Sequence, residues 1–232
     1  MRDSRFRQLQ TLSLATALVG WSFVSPRLPA ARRVAVQAGV GGLLVLGTRS
    51  PLGLRPPLLW AGLRLGSAAG AVAATAIAAS TSVPAVRLSM SGRELPASAP
   101  GWLLVRIPVG TVWAEEVTFR AALATVGSVA FGKSGGRLLQ ATAFGLSHIA
   151  DARATGEPLV GTVLATGIGG WVFGWLADRS GSLAAPMLTH LAINEAGAAA
   201  ALAVQRRLTP RRWWNISQLR GIRRQRGYDC FI

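Results

Sequence analysis

The chain has 232 residues, 50% of them hydrophobic and only 15% charged, against about 25% charged in an ordinary soluble domain. With a mean hydropathy of +0.38, that composition argues against a soluble enzyme and for a protein solvated by lipid. The formal net charge of +16 does not point to nucleic acid: the arginines flank apolar segments instead of forming one basic domain, and cytoplasmic ends and loops of membrane proteins are enriched in Lys and Arg.

In chain order, Arg2, Arg5 and Arg7 precede an apolar run over residues 9–24, close to the ~20 residues a membrane-crossing helix needs. No small-x-small cleavage pattern follows before Pro26, so the run reads as a retained first span. Pro26, Arg27, Pro29, Arg32 and Arg33 form a joint. Residues 34–47 are a second, Gly-rich apolar stretch, and residues 49–64 a Pro/Arg joint with an apolar patch at Leu58-Leu59-Trp60. Residues 65–86 form a long span on which Gly66, Ala69, Gly70 and Ala73 make a small-residue face suited to close helix packing. Residues 87–100 read as a polar loop.

The segment 101–131 carries the acidic motif, and Pro108 one turn before it should kink the helix or loosen its backbone bonding. Residues 132–137 read as a turn, 138–150 as a short helix, 151–158 as a polar loop and 159–177 as a Gly-rich span. After a turn at 178–181, Ser182 caps the last helix and Pro186 lies in its first turns, with the helix running to about residue 204. Basic residues at both ends favour an even number of spans, which makes residues 52–65 the candidate for a hidden or partial one. The expected fold class is therefore all-α: a polytopic transmembrane helical bundle of about seven or eight helices over residues 1–205, with its motif-bearing core at about 101–205. The basic tail, 206–232, contains Trp213 and Trp214, a composition that suits either an anionic membrane surface or plain solvent. The single cysteine, Cys230, excludes an intramolecular disulfide framework and stands one residue short of a C-a-a-X ending.

The stretch Trp113-Ala114-Glu115-Glu116-Val117-Thr118-Phe119-Arg120 places two carboxylates and a guanidinium inside apolar sequence. Each such charge costs roughly 2.5–3.5 kcal/mol at the centre of a membrane helix, so it is carried there only when paired or used. In an α-helix Glu116 and Arg120, four apart with the acid first, make the favourable i,i+4 pair. Glu115 points about 100° away from Glu116: one carboxylate is neutralised locally, and the other faces a different side. The chain has two histidines, both in apolar or small-residue segments. His148 follows Phe144 by four, beside Gly145, which has no side chain to block approach. His190 precedes Asn194 by four, so the two project from one helix face.

These patterns, EExxxR at Glu115, Glu116 and Arg120, FxxxH at Phe144 and His148, and HxxxN at His190 and Asn194, together with the lead-in Gly181-Ser182-Leu183 and Pro186, resemble the CPBP family, the CaaX proteases and bacteriocin-processing enzymes also called the Abi family. The resemblance covers about residues 113–194. It implies an intramembrane endopeptidase akin to the type II CaaX prenyl endopeptidases, with Glu115 activating a water, His148 holding that water, and His190 and Asn194 donating to the oxyanion. Glu116, Arg120 and Phe144 would play supporting parts.

Peptide hydrolysis needs an activated water, an oxyanion donor and a proton for the leaving amine, and these residue types supply all three. No cofactor is favoured. Zinc held by Glu115, His148 and His190 is the metal alternative, since three ligands leave a position for water, although no HExxH motif is present. The expected partners are membrane lipids and a peptide or membrane-protein substrate, with no nucleic acid; the oligomeric state is left open. The competing readings are a transporter, which would show inverted repeats with broken spans, and a catalytically silent membrane scaffold or immunity protein.

Overall fold

The structure, a computed structural model, describes residues 2–208. All but the first residues of the basic tail, including Trp213, Trp214 and Cys230, lie outside them. Among the described residues there is no strand. The first helices are α1 (Arg2–Val24), α2 (Ala30–Thr48), α3 (Leu58–Ser80) and α4 (Pro84–Gly92). A single turn, α5 (Ala99–Gly101), leads into two π-helical segments, Trp102–Trp113 and Glu116–Leu123. The chain then runs through α6 (Ala124–Ser147), α7 (Ile149–Thr155), α8 (Leu159–Ser180) and α9 (Ala184–Leu208).

The bundle has the burial pattern of a protein in lipid. Among the largest fully buried side chains are His190, Gln140, Glu116 and Asn194, while Leu104 is 75% exposed, Leu46 74% and Val72 72%. Contiguous exposed apolar surface marks a membrane or partner contact, and lipid supplies that contact along a whole bundle. Among the described residues three helices are long and apolar enough to cross a membrane: Leu58–Ser80, Leu159–Ser180 and Ala184–Arg207.

Two of these spans pack closely because glycine lets their backbones approach. A Cβ on Gly66 of α3 would stand 2.7 Å from the Ala185 carbonyl of α9, and one on Gly70 would meet the Ala192 side chain at 3.0 Å. The small-residue face expected on this span is thus the α3–α9 seam.

Several boundaries differ from expectation. The joint ends at residue 57, and Leu58-Leu59-Trp60 opens α3. Residues 52–57 form no span. They are a strap whose backbone is satisfied by the lead-in to α9: Leu183 N–H donates to the Leu52 carbonyl at 2.9 Å, and Ser182 Oγ–H donates to the Gly53 carbonyl at 2.8 Å. Gly53 (φ 59°) sits so close to Gly181 that no side chain fits. Residues 87–92 of the loop expected over 87–100 all belong to α4, which opens on Pro84 as proline favours and is held by Gln205 Nε2 donating to the Met90 and Arg93 carbonyls. The turn at 132–137 shrinks to Gly132 alone (φ 75°, ψ 168°), a conformation only glycine adopts readily, and helix resumes at once. The loop at 151–158 is mostly α7, closed by Gly156 at φ 74°.

Candidate active site

Both carboxylates come from a helix wound wider than α. The Ala114 N–H bonds to the Val109 carbonyl, five residues back, and the winding resumes at Glu116. Pro108 lies inside the first π segment, where it withholds an N–H that an α ladder would use. The expected loosening is thus a change of winding, and π turns concentrate at functional sites. Glycine seats α2 against this helix: a Cβ on Gly41 would strike Val117 at 2.5 Å, and one on Gly110 would touch Val34 at 3.0 Å.

Glu116 is fully buried and stands between a guanidinium and an imidazole. Its Oε2 lies 3.4 Å from Arg120 Nε, and its Oε1 lies 2.8 Å from His190 Nδ1. The pairing expected with Arg120 is therefore present, and the same carboxylate also holds a histidine from α9. A carboxylate at Nδ1 accepts a proton-bearing nitrogen, so Nε2 is the atom His190 turns toward Glu115 Oε2, 3.9 Å away.

Aromatic rings enclose this cluster. The Arg120 guanidinium carbon lies 3.8 Å from the Phe144 centroid and 5.0 Å from that of Phe173. Cation–π attraction of this kind is strengthened by desolvation. Phe173 also stacks on His190 with centroids 5.0 Å apart, and Phe144 meets His148 edge-on at 4.6 Å.

His148 lies where α6 ends. Its Nδ1 is 2.7 Å from the Phe144 carbonyl, an acceptor, so Nδ1 carries the proton and Nε2 the lone pair in the neutral ring. Glu115 and His148 share the wall of one cavity of about 140 Å³, together with Thr111, Phe119 and Ser147. His190 and Asn194 do not line it.

Asn194 is buried one turn along α9; its Nδ2 donates to the His190 carbonyl at 3.2 Å, and its Oδ1 has no hydrogen-bond partner among the described residues. A buried acceptor without a donor is uncommon enough to need a reason. Gly145 does not clear a path to His148 as expected. A Cβ there would stand 2.6 Å from the Val163 carbonyl of α8 and 3.1 Å from Gly167, so its lack of a side chain serves the α6–α8 contact.

Residues 97–196 match the family model described as "Type II CAAX prenyl endopeptidase Rce1-like". The segment is thus similar to a family of CAAX-type membrane endopeptidases. The match takes in all three motifs and their lead-in, and agrees with the family that those motifs resemble. No curated protein and no solved structure matches the chain.

Within the matched segment, the geometry brings Glu115, Glu116, Arg120, Phe144, His148 and His190 together, with Asn194 behind His190. Among the described residues no group of three or more His, Cys, Asp and Glu side chains is placed to hold a metal ion. Motif reasoning missed Phe173. Its sequence signal was weak: Trp171 and Phe173 both stand between Gly170 and Gly174 of a Gly-rich span, and only packing separates the buried Phe173 from the exposed Trp171. The carboxylate–histidine bond across 74 residues had no sequence signal.

Proposed function

We propose that the protein is an intramembrane endopeptidase that hydrolyses a peptide bond of a membrane-associated or peptide substrate, with Glu115 as its general base. The observation that carries this reading is the placement of Glu115 and His148 on one cavity wall, with His190 3.9 Å behind Glu115. Glu115 takes a proton from a water held between it and His148 Nε2, and the water oxygen attacks the substrate carbonyl. The developing oxyanion is met by a donor from α9: His190, when it carries a proton on Nε2 as well, or Asn194 once its amide turns toward the cavity. The proton held by Glu115 then passes to the leaving amine. Glu116 and Arg120 act through His190, fixing its ring and the charge around it. No step is routed through a metal.

The test uses the full chain in lipid nanodiscs with a lipidated C-a-a-X peptide and an unlipidated peptide as probes, products being read by mass spectrometry. A defined cleavage product that disappears in Glu115→Gln supports the reading. Equal product from wild type and Glu115→Gln refutes it. Chelator is added in parallel: complete loss with rescue by zinc would replace the metal-independent mechanism with a metal-assisted one.

A further inference from the structure

The cavity that holds Glu115 and His148 does not end at them. Arg33 of α2 and Arg106 of the first π segment line it, and both also line a second cavity of about 450 Å³, with Pro26 at the junction. The second cavity is walled by the joint after α1 and by residues 94–97, and is large enough for a short peptide segment. Neither arginine belongs to a motif. Both are only half-buried, and Arg106 stands in apolar sequence between Val105 and Ile107. An arginine at membrane depth normally faces a wet cavity or a pathway.

We infer that Arg33 and Arg106 form a carboxylate-recognition site that selects substrates with an anionic group on one side of the scissile bond; this rests on the peptidase reading above. Acids of the chain line the same cavities as the two arginines, Asp151 the first and Glu94 the second. An arginine presents five N–H donors in a planar fork, so an internal acid leaves donors for a second carboxylate. The need for them is electrostatic. A substrate anion entering this cavity is repelled by Glu115 and Asp151, and in a low-dielectric bundle that repulsion is large. Two guanidinium groups between the cavities offset it at one place, which fixes the register of the bound peptide relative to Glu115. The α2 backbone is held there by the contact of Gly110 with Val34, next to Arg33 and four residues from Arg106.

Two sources would supply the carboxylate, a free peptide C-terminus or an acidic side chain, and three fluorescent lipidated peptides separate them: the free acid, its C-terminal amide, and an amide carrying glutamate at the last position. Binding to the wild-type chain in zwitterionic nanodiscs is measured alongside cleavage. The free acid should bind about tenfold or more tightly than the plain amide, the scale of one charge-assisted hydrogen bond. That ratio should fall toward one in Arg33→Gln and Arg106→Gln, and Arg106→Lys should retain part of it. Because the ratio is taken within each variant, loss of folded protein does not imitate the effect. If the glutamate amide binds like the acid, the site reads any carboxylate; if it binds like the plain amide, the site reads the terminus. A wild-type ratio near one, or a ratio unchanged in both Gln variants, overturns the inference. A preserved ratio with no cleavage leaves carboxylate recognition standing and removes the peptidase reading.

Discussion

Glu115 and Glu116 are adjacent in the chain, yet they face two different media. On one side lies a cavity wall with Glu115, His148, Ser147 and two half-buried arginines. On the other lies a dry cluster in which Glu116, Arg120, His190 and Asn194 are 0–5% exposed and enclosed by Phe144 and Phe173. The chemistry of the side chains does not distinguish the two carboxylates; the environment does. A carboxylate on a wet wall can exchange protons with water. A carboxylate paired with a guanidinium and hydrogen-bonded to an imidazole in a dry interior orients its partners, and removing it strands a charge. The two faces meet at His190, whose Nδ1 belongs to the dry side and whose Nε2 points to the wet one.

The comparison is broken most directly by Glu115→Gln. If the wet carboxylate is the general base, peptide cleavage should fall by about 10²–10⁴-fold, while thermal unfolding in detergent moves little, because the contacts of Glu116 with Arg120 and His190 stay in place. Loss of both activity and folded protein would mean that Glu115 belongs with the structural cluster instead.

Glu116→Ala is the mirror experiment. It leaves Arg120 buried without its carboxylate and His190 without its anchor, and breaking a buried pair in this way costs about 3–5 kcal/mol. Unfolding in detergent measures that loss. Phe144→Leu should preserve more stability than Glu116→Ala, since it removes a ring face but no ion pair. A Glu116→Ala protein as stable as wild type would show that the dry cluster does not hold the bundle together.

How much of this division was legible beforehand follows from what each residue depends on. The acidic motif, both histidines and the family-like lead-in were visible because burial cost makes any intramembrane charge conspicuous. The opposite burial of Glu115 and Glu116 was partly visible as well, from the angle between neighbouring positions on a helix. Hidden was everything set by contacts distant in sequence. Glu116 binds His190 across 74 residues, and nothing in EExxxR announces a partner on α9. The strap at residues 52–57 was expected to belong to a partial span because basic residues at both ends favour an even number of spans; its hydrogen bonds with Ser182 and Leu183 appear only once α9 is docked. The π winding was foreshadowed by Pro108 alone, and single prolines more often kink a helix than rewind it.

The seam that positions His148 offers a smaller effect of a different origin. Gly145→Ala places a methyl 2.6 Å from the Val163 carbonyl and beside Gly167, so α6 and α8 must separate. Overpacking of this kind costs about 1–3 kcal/mol. Because His148 stands three residues further along, cleavage should fall more than the stability loss alone explains. Gly42→Ala, whose Cβ would meet nothing within 4 Å, serves as the control and should change neither.

The smallest expected effect calibrates the rest. Arg93 and Glu157 form an ion pair at 3.2 Å with side chains 27% and 36% exposed, between the end of α4 and the turn before α8. It has the same chemistry as Glu116–Arg120 but sits in high dielectric, where such pairs are worth about 0.2–1 kcal/mol. Glu157→Gln should therefore shift unfolding by less than 1 kcal/mol and leave cleavage unchanged. The gap between this shift and that of Glu116→Ala is the quantity that matters, because it isolates burial from pairing. If the two substitutions cost the same, the contrast between a wet and a dry face has no energetic content, and the different roles assigned to Glu115 and Glu116 would have to come from something other than their surroundings.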